Sequence, residues 1–136
     1  MKLKTLLTIN AIVALVFGLI HLFAPERFWI FYGINLGQNG LFMARSVGAE
    51  VLGFAILTWF ARSVEAPKAL HAIALACFTK WTLLLLVNLA AQLGGLVNSY
   101  GWSNEVLFLL FASGYAYFLL KPVISESLFH QPIVTS

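Results

Sequence analysis

The chain has 136 residues, of which 61% are apolar and only 10% charged, too few charged groups to clothe a water-soluble domain of this size. A mean hydropathy of +0.92 and the lack of any Asp exclude a disordered tail, a nucleic-acid-binding domain and a secreted disulfide scaffold. The composition is that of an integral membrane protein with the lipid bilayer as its first partner. The net charge of +3 comes from basic residues scattered singly, so they read as topology signals and not as a nucleic-acid surface. The lone Cys77 sits in an apolar run and reads as a small buried side chain.

A hydrocarbon core of about 30 Å needs roughly 20 apolar residues in a helix, and the chain offers four such stretches, near 5–24, 41–61, 70–93 and 105–120. The expected architecture is an all-α bundle of four transmembrane helices forming one domain. Span one follows Lys2 and Lys4 but lacks a small-residue cleavage pattern before Pro25, so it is expected to remain as a helix. Between spans one and two, the aromatic segment from Pro25 to Gly33 predicts a short helix in the membrane interface, with Trp29 and Tyr32 at headgroup depth. Asn35 to Gly40 then reads as a turn-rich connector.

Pro25, Pro67 and Pro122 each follow the end of a span and are expected to stop it. Gly94 and Gly95 mark the exit of span three, and Asn98 to Asn104 an uncharged turn. The tail, 121–136, is either irregular or packed against the bundle mouth or a neighbouring subunit. Lys2, Lys4, Arg62, Lys68 and Lys121 fall on one side of the four spans and only Arg27 and Arg45 on the other. Both termini are therefore expected to be cytoplasmic, in a bacterial inner membrane or its equivalent.

Polar residues inside spans are costly and are where function is to be sought. On span one, Asn10, Ala14, Phe17 and His21 recur at helical spacing on one face, expected to point inward. On span two, Ala44 with Gly48, and Ala49 with Gly53, place small residues at i, i+4, so that a neighbouring helix can approach and this helix is expected to be central. Arg45 and Glu50 lie on different sides of it and each needs a partner elsewhere. Lys80 on span three comes within about one turn of the depth of Glu50, which predicts a pair, direct or bridged. His21, Arg45, Asn88, Gln92 and Glu105 are expected at similar heights, either as a site for a headgroup, anion or proton, or as mutually satisfied polar contacts holding the register. Tyr115 and Tyr117 are expected to be mostly lipid-facing or packing residues.

The run from span one through Ala24-Pro25, the aromatic segment closing at Gly33, and Arg45 with Gly48 and Gly53 resembles the broad DoxX-like group of small four-helix membrane proteins over roughly residues 5 to 120. The resemblance implies a four-helix membrane fold, and some members are associated with quinone-linked sulfur oxidation or membrane redox complexes. Only Arg45, Gly48 and Gly53 carry over, as structural positions; Glu50 and Lys80 lie outside the pattern.

No established enzyme motif, metal-binding signature or phosphate-binding loop is present. Three functional readings remain. The first is an accessory or assembly subunit packing against itself or a larger membrane complex. The second is a homo-oligomeric transporter or channel exchanging a proton or cation at Glu50, and the third a redox partner binding a quinone or lipid headgroup.

Overall fold

The computed structural model describes residues 1–121 and is all-helical there. Helix α1 covers Leu3–Phe23, α2 Pro25–Phe31, α3 Gln38–Ala61, α4 Pro67–Leu93 and α5 Trp102–Leu120, with a 3-10 turn at Ser99–Gly101. The expected tail, with Pro122, Pro132 and His130, lies outside the described residues. Four helices are long and apolar enough to cross a membrane. The 21 residues of α1 rise roughly 31 Å, about the thickness of a bilayer core.

The prolines do more than expected. Pro25 and Pro67 occupy the first positions of α2 and α4, where a missing N–H leaves no hydrogen bond unmade and the fixed φ suits the helix. They start helices, and Pro25, directly after the Ala24 cap of α1, also marks the end of that span as expected. Gln38, Asn39 and Gly40 also belong to α3, not to the connector. Gly33 and Gly95 have φ of 83° and 73°, left-handed backbone that only glycine adopts cheaply.

The bundle is two close helix pairs, α1 with α3 and α4 with α5. The most buried of the four spans is α1, so α1 and not α3 is the central helix. The pairs are joined by an apolar core at the end of the bundle that carries both the N-terminus and the end of α5. There Leu6 and Leu7 of α1 pack with Trp81 of α4 and Phe111, Tyr115 and Phe118 of α5. Trp81 stacks on Phe111 at a centroid distance of 4.4 Å. Tyr115 is wholly buried in this core and Tyr117 is half exposed, so the first is a packing residue and the second faces outward, as expected of the pair.

The α1–α3 crossing depends on glycine. A Cβ on Gly48 would stand 2.7 Å from the backbone nitrogen of Leu22 and 3.0 Å from the carbonyl oxygen of Gly18. Ala44 and Gly48 are buried, as their spacing predicts. Ala49 and Gly53 are exposed, and nothing lies within 4 Å of a Cβ built on Gly53. Their small side chains serve no helix crossing within this chain.

Candidate functional site

Two polar assemblies and a cavity between them occupy the interior. In the first, Asn10 is fully buried and joins three helices. Its Oδ1 accepts from the indole Nε1 of Trp81 at 2.7 Å, and its Nδ2 donates to Thr58 Oγ1 at 3.3 Å. Thr58 in turn donates to the carbonyl of Phe54 at 2.9 Å. The inward placement of Asn10 was legible from its spacing with His21. Trp81 and Thr58 were not, because each sits in an apolar run that gives no hint of which helix it faces.

The second assembly closes the opposite end, where α2 is tied to the α4–α5 connection. Asn98 donates through Nδ2 to the Phe31 carbonyl at 2.9 Å and through its backbone N–H to the Tyr32 carbonyl at 3.0 Å. Tyr32 is buried and its hydroxyl donates to Asn104 Oδ1 at 3.2 Å. Gln92 donates to the carbonyls of Val97 and Asn98. Thus Tyr32 is buried and the Trp29 N–H turns into the bundle at its α2 end, and Gln92 braces a loop.

Between the two lies a cavity of about 130 Å³ lined by α1, α2, α3, α4 and α5. Val13, Phe17, Val51, Leu84 and Phe108 give it apolar walls. It opens between α3 and α4, which make no extensive contact and where Val47 is 47% exposed. Polar groups stand at its two ends. Lys80 and Trp81 occupy one; His21, Trp29, Asn88 and Asn104 gather toward the other. The Trp29 N–H is buried without a hydrogen-bond partner among the described residues. His21 Nδ1 donates to the Phe17 carbonyl at 2.8 Å, since a carbonyl can only accept, so a neutral ring carries its lone pair on Nε2. Phe28 packs against the His21 ring at 4.7 Å and holds it in place.

The expected pairing of Lys80 with Glu50 is not what the structure shows. Lys80 Nζ lies 3.5 Å from the centroid of the Phe54 ring and 4.6 Å from that of Trp81, bridging α4 to α3 through cation–π contact. Phe54 stands one helical turn from Glu50 on the same face of α3. The ammonium is therefore held about one turn along α3 from Glu50, where an aromatic ring takes the part the carboxylate was expected to play. Glu50 is exposed midway along α3.

The expected cluster at one height is also divided. His21 and Asn88 line the cavity. Arg45 lies outside it in a groove with Arg27, on the far side of α3. Glu105 is buried near the start of α5, with Oε2 lacking a partner among the described residues. Cys77 is fully buried in the apolar core.

No family profile, curated protein or solved structure matches this chain.

Proposed function

We propose that this integral membrane protein binds the ring of a quinone in the cavity between its helices. The observation that carries this reading is the cavity itself, about 130 Å³ of largely apolar space opening between α3 and α4. Space of that size accepts one six-membered ring. A quinone presents carbonyl acceptors at opposite ends of its ring, and donors stand at opposite ends here: the Lys80 ammonium at one, the unpartnered Trp29 N–H and the Asn104 amide at the other. An isoprenoid or alkyl tail would leave through the opening between α3 and α4 into the bilayer.

Because Trp81 and Trp29 both line the cavity, binding is readable by tryptophan fluorescence. A decyl-substituted benzoquinone added to the detergent-solubilised protein should quench it saturably. Lys80→Met removes a charged donor worth about 1.5–3 kcal/mol, so binding should weaken about tenfold or more. Glu50→Gln, outside the cavity, should leave it unchanged. Quenching that never saturates, or that is identical in Lys80→Met, would sink this reading.

Assembly with a second membrane-spanning helix is the other reading with a specific observation behind it. Glu50 and Gly53 share the exposed side of α3, and a carboxylate at mid-membrane costs about 2.5–3.5 kcal/mol on insertion scales. A partner helix crossing at Gly53 and donating to Glu50 would remove that cost. Gly53→Leu should then lower the particle mass in mild detergent, whereas an unchanged monomer mass in both proteins speaks against assembly. As to orientation, all five of Lys2, Lys4, Arg62, Lys68 and Lys121 stand at the end opposite α2. We place that end in the cytoplasm, which a reporter fused after Lys121 would check.

A further inference from the structure

On the side of α3 turned away from the quinone cavity, two arginines converge on a second groove. Arg27 from α2 and Arg45 from α3 line a space of about 320 Å³ beside Phe23, Pro25 and Glu26. Both residues are exposed, and among the described residues neither forms an ion pair within 4.0 Å. Arg45 lies seven residues into α3, roughly 10 Å from the start of the helix. A guanidinium starting at that depth reaches back toward the headgroups and needs an anion there. With Glu26 beside them, two guanidiniums and one carboxylate leave a single net positive charge. That matches the one negative charge of a phosphodiester.

The surface below continues the same seam. Arg45, Ala49, Leu52 and Ile56 recur on one face of α3 at intervals of four, three and four. Leu15, Leu19 and Phe23, all exposed, run beside them on α1. The seam ends in an apolar groove of about 250 Å³ between the two helices, lined by Ile12, Leu15, Ile56 and Trp59. From Arg45 to Ile56 the helix descends about 16 Å, close to half the roughly 30 Å hydrocarbon core. One leaflet's acyl chain has that reach, and the small side chain of Ala49 leaves it room next to the arginines.

We infer that the α1–α3 seam holds one phospholipid, its phosphodiester between Arg27 and Arg45 and an acyl chain running past Ala49 into the Ile12–Trp59 groove. The occupant is a lipid and not free phosphate because the charged and apolar parts of the surface are continuous over a leaflet's depth. The site is distinct from the quinone cavity and stands whether or not that cavity binds a quinone.

Native mass spectrometry of the protein released from phosphatidylglycerol-containing nanodiscs tests this directly. Wild type should retain one phospholipid. Arg45→Gln should lower the retained fraction about tenfold, and Arg45→Lys, which keeps the charge but loses the bidentate fork, by less. Ala49→Phe should lower it with both arginines intact, by filling the acyl path. A detergent melting temperature within a few degrees of wild type identifies the variants that remain folded. Equal retention in folded Arg45→Gln overturns the headgroup site, and equal retention in folded Ala49→Phe overturns the acyl path. Competition by inorganic phosphate as effective as by phosphatidylglycerol would mean that an anion alone is recognised, and would also overturn the lipid assignment.

Discussion

Gly48→Ala should destabilise the protein by about 1–3 kcal/mol, the usual cost of forcing a methyl group into a packed contact, read as a fall in detergent melting temperature. The added Cβ would meet backbone atoms of Leu22, Gly18 and His21, and a backbone cannot rotate aside as a side chain can. Either α1 and α3 separate or the Gly18–Leu22 turn shifts, and the second movement displaces His21 on the cavity wall. Gly18→Ala should cost less, because two of its three nearest obstacles are side-chain atoms of Leu52, which can change rotamer. Gly53→Ala is the control. With nothing within 4 Å, it should be neutral or stabilising by about 0.5–1 kcal/mol through helix propensity. Equal melting temperatures for Gly48→Ala and Gly53→Ala would mean that the α1–α3 crossing is not the close one described.

That contrast also marks how far the sequence could be read. Ala44 with Gly48 and Ala49 with Gly53 carry the same local signal, small residues one turn apart. Only the rotation of α3 against α1 decides that one pair is buried and the other bare, and that rotation is set by contacts distant in sequence. The spans were legible because the thickness of hydrocarbon imposes a length that composition alone reveals. Their ends were less so. Pro25 and Pro67 signal a boundary from either side, and with so short a break before α2 the sequence does not say whether a proline closes one helix or opens the next.

The site was legible in part and for the same reason. His21, Lys80 and Asn88 stood out because polar atoms are rare in the spans, and all three do line the cavity. Composition marks Trp29 and Tyr32 as interfacial but does not reveal that they also pack inward, because the backbone and side chain of Asn98 and the amide of Asn104, more than sixty residues later, capture the end of α2. Depth counting brought Glu50 and Lys80 to within about one turn of each other. It could not reveal that Phe54, one turn on, would present its ring to the ammonium.

Asn10→Leu should produce the second large effect, and the partner most affected should be Trp81. Asn and Leu share the same branched skeleton, so the substitution leaves no void; what it removes is an acceptor and a donor at a fully buried position. The Trp81 N–H loses the 2.7 Å bond that it makes to Asn10, while Thr58 keeps its bond to the Phe54 carbonyl. Hydrogen bonds between membrane helices are worth about 0.6–2 kcal/mol each. The loss should therefore be about 1–3 kcal/mol, with most of it from the stranded indole. Trp81→Phe removes that stranded donor while keeping a ring to stack on Phe111. Introduced into Asn10→Leu, it should cost much less than it does in wild type, giving a coupling of about 1 kcal/mol in the double-mutant cycle. Strict additivity of the two melting-temperature changes would show that Asn10 does not hold α4 through this bond, and that stacking in the core alone fixes Trp81 beside the cavity.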